Sequence, residues 1–324
     1  MSIQRRQLVI VLLSLLIVIP GWAALDDAYQ RDADFVAATH AVQTAEDDVS
    51  KAKADPDGPA LTLLRVNERL QYAHAAEKLA SYTAKAKIYQ AYTDLLVAQR
   101  QVALSQVRQR LAQLQYQAAQ VKSQLGAVSI QELTQAKDTA TRAAVALAVD
   151  RSQLVGAELR WKPYGNLPTS PTPQPAVLDV KACSIDNSPT VIKAQMDLSE
   201  AQRAVDLAQG PDTAPLDRAA LARTLATSEA ALHNIARLQT EALDLAVRRY
   251  QTARENLALA QGGADISQNA LLTAQKRFAA GAISQLTETE AEVAKLDSML
   301  ILEKAVAEAW SAHFGIFQAT GGVL

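Results

Sequence analysis

A single cysteine, Cys183, excludes an intrachain disulfide and reads as a packed residue, not a reactive thiol. Histidine is nearly as scarce. The four present, His40, His74, His233 and His313, are dispersed without the spacing of metal ligands, so no metal or catalytic site is indicated. No glycine-rich phosphate loop follows a strand, and there is hardly a strand pattern for it to follow. No nucleophile–base pairing can be argued. The expected protein is a non-enzyme without a cofactor. Neither sign of charge is in excess: the formal net charge is −2, and Lys and Arg are scattered among acids as on solvated helix faces. That removes the electrostatic case for nucleic acid. Aromatics make up 5% of the chain and glycine is sparse, a balance that suits long helices packed closely on small, alanine-rich seams.

Long apolar runs are missing too, except at the start. Residues 1–24 read as a secretory signal: Arg5 and Arg6 form a positive n-region, Leu8 to Ile19 an apolar stretch, and Gly21 and Ala23 a small-x-small cleavage motif. The alternative is an uncleaved anchor, since the apolar stretch to Leu25 approaches spanning length. No cysteine follows the stretch, which excludes a lipoprotein.

What the sequence has is helical pattern. Asp26 to Ala54 carries Phe35, Val36, Val42 and Val49 on one side, and Asp55-Pro56-Asp57-Gly58-Pro59 then turns the chain. From Ala60 to Leu125 there is neither proline nor glycine. Within it Leu104, Val107, Leu111, Leu114, Ala118, Val121 and Leu125 recur at alternating spacings of three and four, a seam that wants a partner helix along its whole length. At 1.5 Å per residue the run spans roughly 100 Å, far beyond the needs of a globular helix. It ends at Gly126-Ala127-Val128-Ser129, and a helical pattern returns from Ile130 to about Leu159.

Prolines 168, 171, 173 and 175 mark an extended connector between Trp161 and Pro189, after which the pattern begins again. Val191 to Gln209 is helical, Gly210 to Pro215 turns, and Leu216 to Ala280 forms a second long run. That run ends at Gly281-Ala282-Ile283-Ser284 and returns through about Ala319. One offset, 155, carries Val36 onto Val191, Pro56 onto Pro211, Ala98 onto Ala253 and Gly126–Ser129 onto Gly281–Ser284. Turns and tips that match at one spacing make this a tandem duplication. The organisation expected is a signal over 1–24, a first helical repeat over 25–160, a connector over 161–188 and a second repeat over 189–324. Gly262-Gly263 interrupts the second long run, each glycine costing about 1 kcal/mol against alanine; it is a flex point or a kink held by packing.

Each tip reads Gly-x-x-Ser, then an acid-containing helix start and an alanine: Gly126 through Ala136, and Gly281 through Ala291 with Phe278 three residues before the glycine. With the duplication and the short–long–short helix order, the mature chain resembles the TolC-type outer-membrane efflux proteins over nearly its whole length. The resemblance implies an all-α fold, a tandem repeat of long coiled-coil helical hairpins forming a TolC-like helical barrel or bundle. It implies a homotrimer that extends a periplasmic conduit and docks an inner-membrane adaptor, a periplasmic membrane-fusion protein, with its transporter, in a tripartite efflux pump or a type I secretion system. Location would be the periplasm, with or without association to the outer membrane. Carried over by position, Gly126, Val128, Ser129, Gly281, Ile283 and Ser284 become adaptor-docking tips, or residues that only shape the turns. Glu290 becomes a candidate acid at the tunnel mouth, or part of a solvated face.

One departure cuts against conduction. The family inserts a pair of barrel strands between short and long helix in each repeat, and a spanning strand pair needs two segments of about ten residues. Asp55–Pro59 and Gly210–Pro215 cannot hold one. Little or no β-barrel is expected. The alternative function is thus a barrel-less, non-conducting periplasmic scaffold or binding protein derived from that family.

Overall fold

The computed structural model describes residues 28–55, 59–165, 174–180, 183–210 and 213–322. The signal segment, most of the proline cluster, and residues 56–58 and 211–212 between short and long helix lie outside the described residues.

Among the described residues six α-helices carry the chain: α1 (Ala33–Ala54), α2 (Ala60–Gln124), α3 (Ile130–Trp161), α4 (Pro189–Leu207), α5 (Pro215–Ala279) and α6 (Gln285–Thr320). No strand occurs among the described residues, and none of their helices is long and apolar enough to cross a membrane. The duplication is visible in the bounds themselves. Adding 155 to the ends of α2, 60 and 124, gives 215 and 279, the ends of α5, and adding it to 130 gives 285, where α6 begins. At 65 residues each, α2 and α5 are roughly 100 Å long.

The start of α1 is later than the sequence pattern suggests. A 3-10 turn at Tyr29–Arg31 precedes it, and the Asp32 carboxylate then accepts hydrogen bonds from the Asp34 and Phe35 N–H groups, a side-chain cap that fixes the first turn at Ala33. Pro189 and Pro215 open α4 and α5 from inside the first turn, where a missing N–H costs nothing.

Packing follows one plan in both halves. α2 lies against α1 and α3 of its own repeat and against α4 and α6 of the other, while α5 lies against α4 and α6. Four strands of helix thus stand side by side: α1 stacked with α3, then α2, then α4 stacked with α6, then α5. The result is a wall with two unlike edges.

Alanine sets its thickness. Ala253 and Ala260 of α5 meet Ala305 and Ala309 of α6, with Leu257 and Val306 between them, small enough for close helix approach. A second core joins Ile88, Tyr92 and Leu95 of α2 to Ala157 and Trp161 of α3. The connector is held down as well. The Tyr250 hydroxyl, on α5, donates to the Ala176 carbonyl and accepts from the Leu178 N–H, both at 3.1 Å.

His313 on α6 sits among Tyr250, Trp310, Phe314 and Phe317, with no hydrogen-bond partner for its Nδ1. Burial alone drives its pKa down from 6.5 to about 4. An unfolded chain takes up this proton near pH 6.5 and the folded one only near 4, so the stability is complete above 6.5 and lost as the pH falls towards 4. At full burial such a shift is worth about 3 kcal/mol, and residual solvent access reduces it to about 2. Thermal unfolding of wild type and His313→Phe at pH 7 and pH 4 checks this: the variant should lose less stability across that interval by about that amount.

Candidate docking site at the helical tips

Two turns join long helix to return helix, and they are built alike. At the first, Gly126 takes φ 71°, its N–H donates to the Ser123 carbonyl at 3.0 Å, and the Ala127 N–H donates to the Lys122 carbonyl at 2.8 Å. At the second, Gly281 takes φ 69°, and the Gly281 and Ala282 N–H groups donate to the Phe278 and Arg277 carbonyls, each at 2.8 Å. These paired bonds satisfy the last carbonyls of the long helix and reverse the chain in a left-handed residue, which favours glycine. A Cβ at either glycine would meet nothing within 4 Å, so the requirement is one of backbone angle and not of space.

The serine then starts the return helix. Ser129 Oγ accepts from the Glu132 N–H at 3.2 Å, and the Glu132 carboxylate accepts from the Ser129 N–H at 2.7 Å. This closed capping box holds the Glu132 carboxyl below its ordinary range through the hydrogen bonds from Ser129. Ser284 accepts from the Thr287 N–H at 3.2 Å, but Thr287 has no carboxylate to return the bond. The first tip is therefore the more tightly fastened.

Gly126, Ser129, Gly281 and Ser284 are exposed, whereas Val128 and Ile283 are half-buried within their turns. Glu290 is exposed on α6, next to the buried Thr289. The nearby Glu292 is tied across to Arg110 of α2. Arg108–Asp297 at 3.1 Å and Arg100–Glu303 at 2.6 Å continue that ladder down the two helices. Glu303 is pushed up by burial and drawn back by the Arg100 guanidinium. The ladder fixes the two hairpins side by side.

One expectation needs correcting. The seam of α2 is not partnered along its whole length. Leu104 and Val107 are buried, but Ala118, Val121 and Leu125 are exposed, so this end of the seam finds no cover within the single chain. Leu125 (78% exposed) and Ile130 (82%) flank Gly126 and leave an apolar surface around the first tip. Seam periodicity marks such residues as core and carries no signal that they face outward. Gly262 and Gly263 lie within the unbroken α5, and a Cβ on either would meet nothing within 4 Å; packing within the chain does not account for them.

By sequence, no family model matches the chain and no characterised protein matches it. By structure, it resembles CusC, whose crystal structures concern transmembrane channel formation, at TM-score 0.63 with 16% identity, covering 94% of this chain and 96% of that one. It resembles the Campylobacter jejuni CmeC outer-membrane channel at TM-score 0.61 and 12% identity, covering 93% and 85%. It resembles the outer-membrane protein VceC of Vibrio cholerae at TM-score 0.60 and 13% identity, covering 92% and 95%. The fold is thus that of the TolC-type outer-membrane channels, reduced here to helices among the described residues. These neighbours are channel proteins, not enzymes.

Proposed function

We propose that this chain is a helical component of a bacterial export conduit, a homotrimer in the periplasm or against the outer membrane. Its tips receive an inner-membrane adaptor, a membrane-fusion protein serving an efflux transporter or type I secretion system. The observation that carries the reading is the pair of like-built tips, with Leu125 and Ile130 left exposed beside the first. In the trimer, Gly126, Val128, Ser129, Gly281, Ile283 and Ser284 form the docking turns, and three copies of Glu290 ring the mouth. Photo-cross-linkers placed at 128 and 283 in the native host test this. The expected result is an adduct with a periplasmic hairpin adaptor from both positions and none from a control position at Ala220. Adducts from neither tip overturn the docking.

A second reading has its own observation. Five residues, 55–59, separate α1 from α2, and seven, 208–214, separate α4 from α5, against the roughly 20 that a spanning strand pair needs. On that reading the protein is a non-conducting scaffold. Single-channel recording after reconstitution of residues 25–324 separates the two: steady conductance supports the conduit, and a water-soluble protein that never conducts supports the scaffold.

A further inference from the structure

The two edges of the wall are the repeat counterparts of surfaces already joined inside it. Under the 155-residue offset α5 corresponds to α2, α6 to α3, and α4 to α1. Within one chain α2 packs on α4 and α6, but the corresponding union of α5 with α1 and α3 is left open. Burial records the difference. Leu104 on α2 is 0% exposed and its counterpart Leu259 on α5 is 76% exposed; Phe314 on α6 is 5% exposed and its counterpart Leu159 on α3 is 63% exposed.

Among the described residues five ion pairs cross the inner joint: Arg65–Glu200, Glu68–Arg203, Arg100–Glu303, Arg108–Asp297 and Arg110–Glu292. Shifted by the offset, Arg110–Glu292 becomes Asp265 with Lys137, and Glu68–Arg203 becomes Arg223 with Asp48. Both are complementary, and both have the signs exchanged. Of the remaining three, Arg108–Asp297 becomes Gly263 with Arg142, Arg100–Glu303 becomes Glu255 with Ala148, and Arg65–Glu200 becomes Ala220 with Ala45. None of the five places like charges together. The inner aromatic stack of Tyr82 on Phe317 has no such counterpart, since its positions hold Arg237 and Lys162, and α3 ends at Trp161, before that level.

We infer that a second copy of this chain docks with its α5 against α1 and α3 of the first, bridged by Asp265 to Lys137 and by Arg223 to Asp48. This deepens the oligomer of the proposed function and rests on it. Leu259 and Ile266 of α5, 76% and 73% exposed in the single chain, supply apolar area at the joint. Gly262 and Gly263 stand where Val107 and Arg108 stand on α2, and leave room for the long Arg142 side chain opposite. The exchanged signs separate the two joints. An α5 helix offered to the α4–α6 surface of another copy would set Asp265 against Glu292 and Arg223 against Arg203. Repulsion at the wrong surface and attraction at the right one is how a repeat protein avoids joining itself out of register.

The test uses solution mass against concentration for residues 25–324. One variant reverses the first edge, Asp48→Arg with Lys137→Glu; another reverses the second, Arg223→Glu with Asp265→Lys; a third carries all four. Lys137, Arg223 and Asp265 are exposed and the Asp48 side chain is 45% exposed, so helix content by circular dichroism should not change. Each two-site variant should need about tenfold more protein to associate, and the four-site variant should return to within about threefold of wild type. Unaltered association in the two-site variants, or no recovery in the four-site variant, overturns this joint while the oligomer stands. A wild-type chain that stays monomeric overturns the oligomer and the joint together.

Discussion

Replacement of Trp161 by alanine is expected to lower the stability by about 3–5 kcal/mol, the range for deleting a large buried aromatic side chain. Trp161 is 4% exposed at the last residue of α3. It meets the Tyr92 ring at 5.5 Å and the Tyr164 ring at 5.6 Å, and joins a core to which Ala28 and Tyr29, just ahead of α1, also pack. The residue therefore sits where α3 stops, α1 starts and α2 passes behind both. Its loss leaves a cavity at a junction that no continuous backbone spans, so the stacked short helices should separate before the long helix melts. Trp161→Phe should be far milder, because the indole Nε1 has no hydrogen-bond partner and the ring packing is mostly kept. Urea unfolding of the three proteins checks the order: wild type and Phe close together, Ala well below. Similar midpoints for Ala and wild type would show that the junction carries no stability.

The matching junction in the second repeat yields the other large effect, by a different mechanism. Gly321 ends α6 at φ 73°, and a Cβ there would collide with the Asn187 carbonyl oxygen and stand 2.8 Å from Ser188 Cα, just ahead of α4. Those atoms are backbone and cannot swing aside. Gly321→Ala is expected to cost about 2–4 kcal/mol, combining left-handed strain with displacement of the α4 start. Gly126→Ala supplies the control. It has nearly the same φ, 71°, but open space around it, so only the strain term of about 1 kcal/mol applies. Thermal unfolding of both variants separates the terms; equal losses would mean that the contact with Asn187 relaxes at no cost.

These junctions explain what the sequence could and could not disclose. The all-helical class, the duplication and both tips were readable because they rest on local signals: absence of proline and glycine over Ala60–Leu125, and Gly-x-x-Ser where a helix must stop, reverse and restart. The shortage of room for barrel strands was readable from spacing alone. Position within the wall was not. Leu104 and Leu259 occupy the same place in the repeat, yet one lies inside the wall and the other on its edge, a difference made by topology and not by neighbours in sequence. The outward Val121 and Leu125 fail for the same reason, since a periodic stripe shows that a face is apolar without showing what covers it. Trp161 and Gly321 were obscured otherwise. Each contacts residues distant in sequence, at a helix end where periodicity has already stopped.

The unlike edges have a geometric consequence. A surface that joins to itself about a twofold axis is used up when two copies meet, but an edge that accepts a different edge leaves one of each free after every addition. In the proposed joint each copy added leaves one α5 edge and one α1–α3 edge open. On that proposal the number of chains is set by how far each contact turns the wall, and closure occurs only when the accumulated turn brings the final edge back to the first. A substitution that flattens this turn by a few degrees, even one remote from either edge, should convert the proposed ring into an open filament.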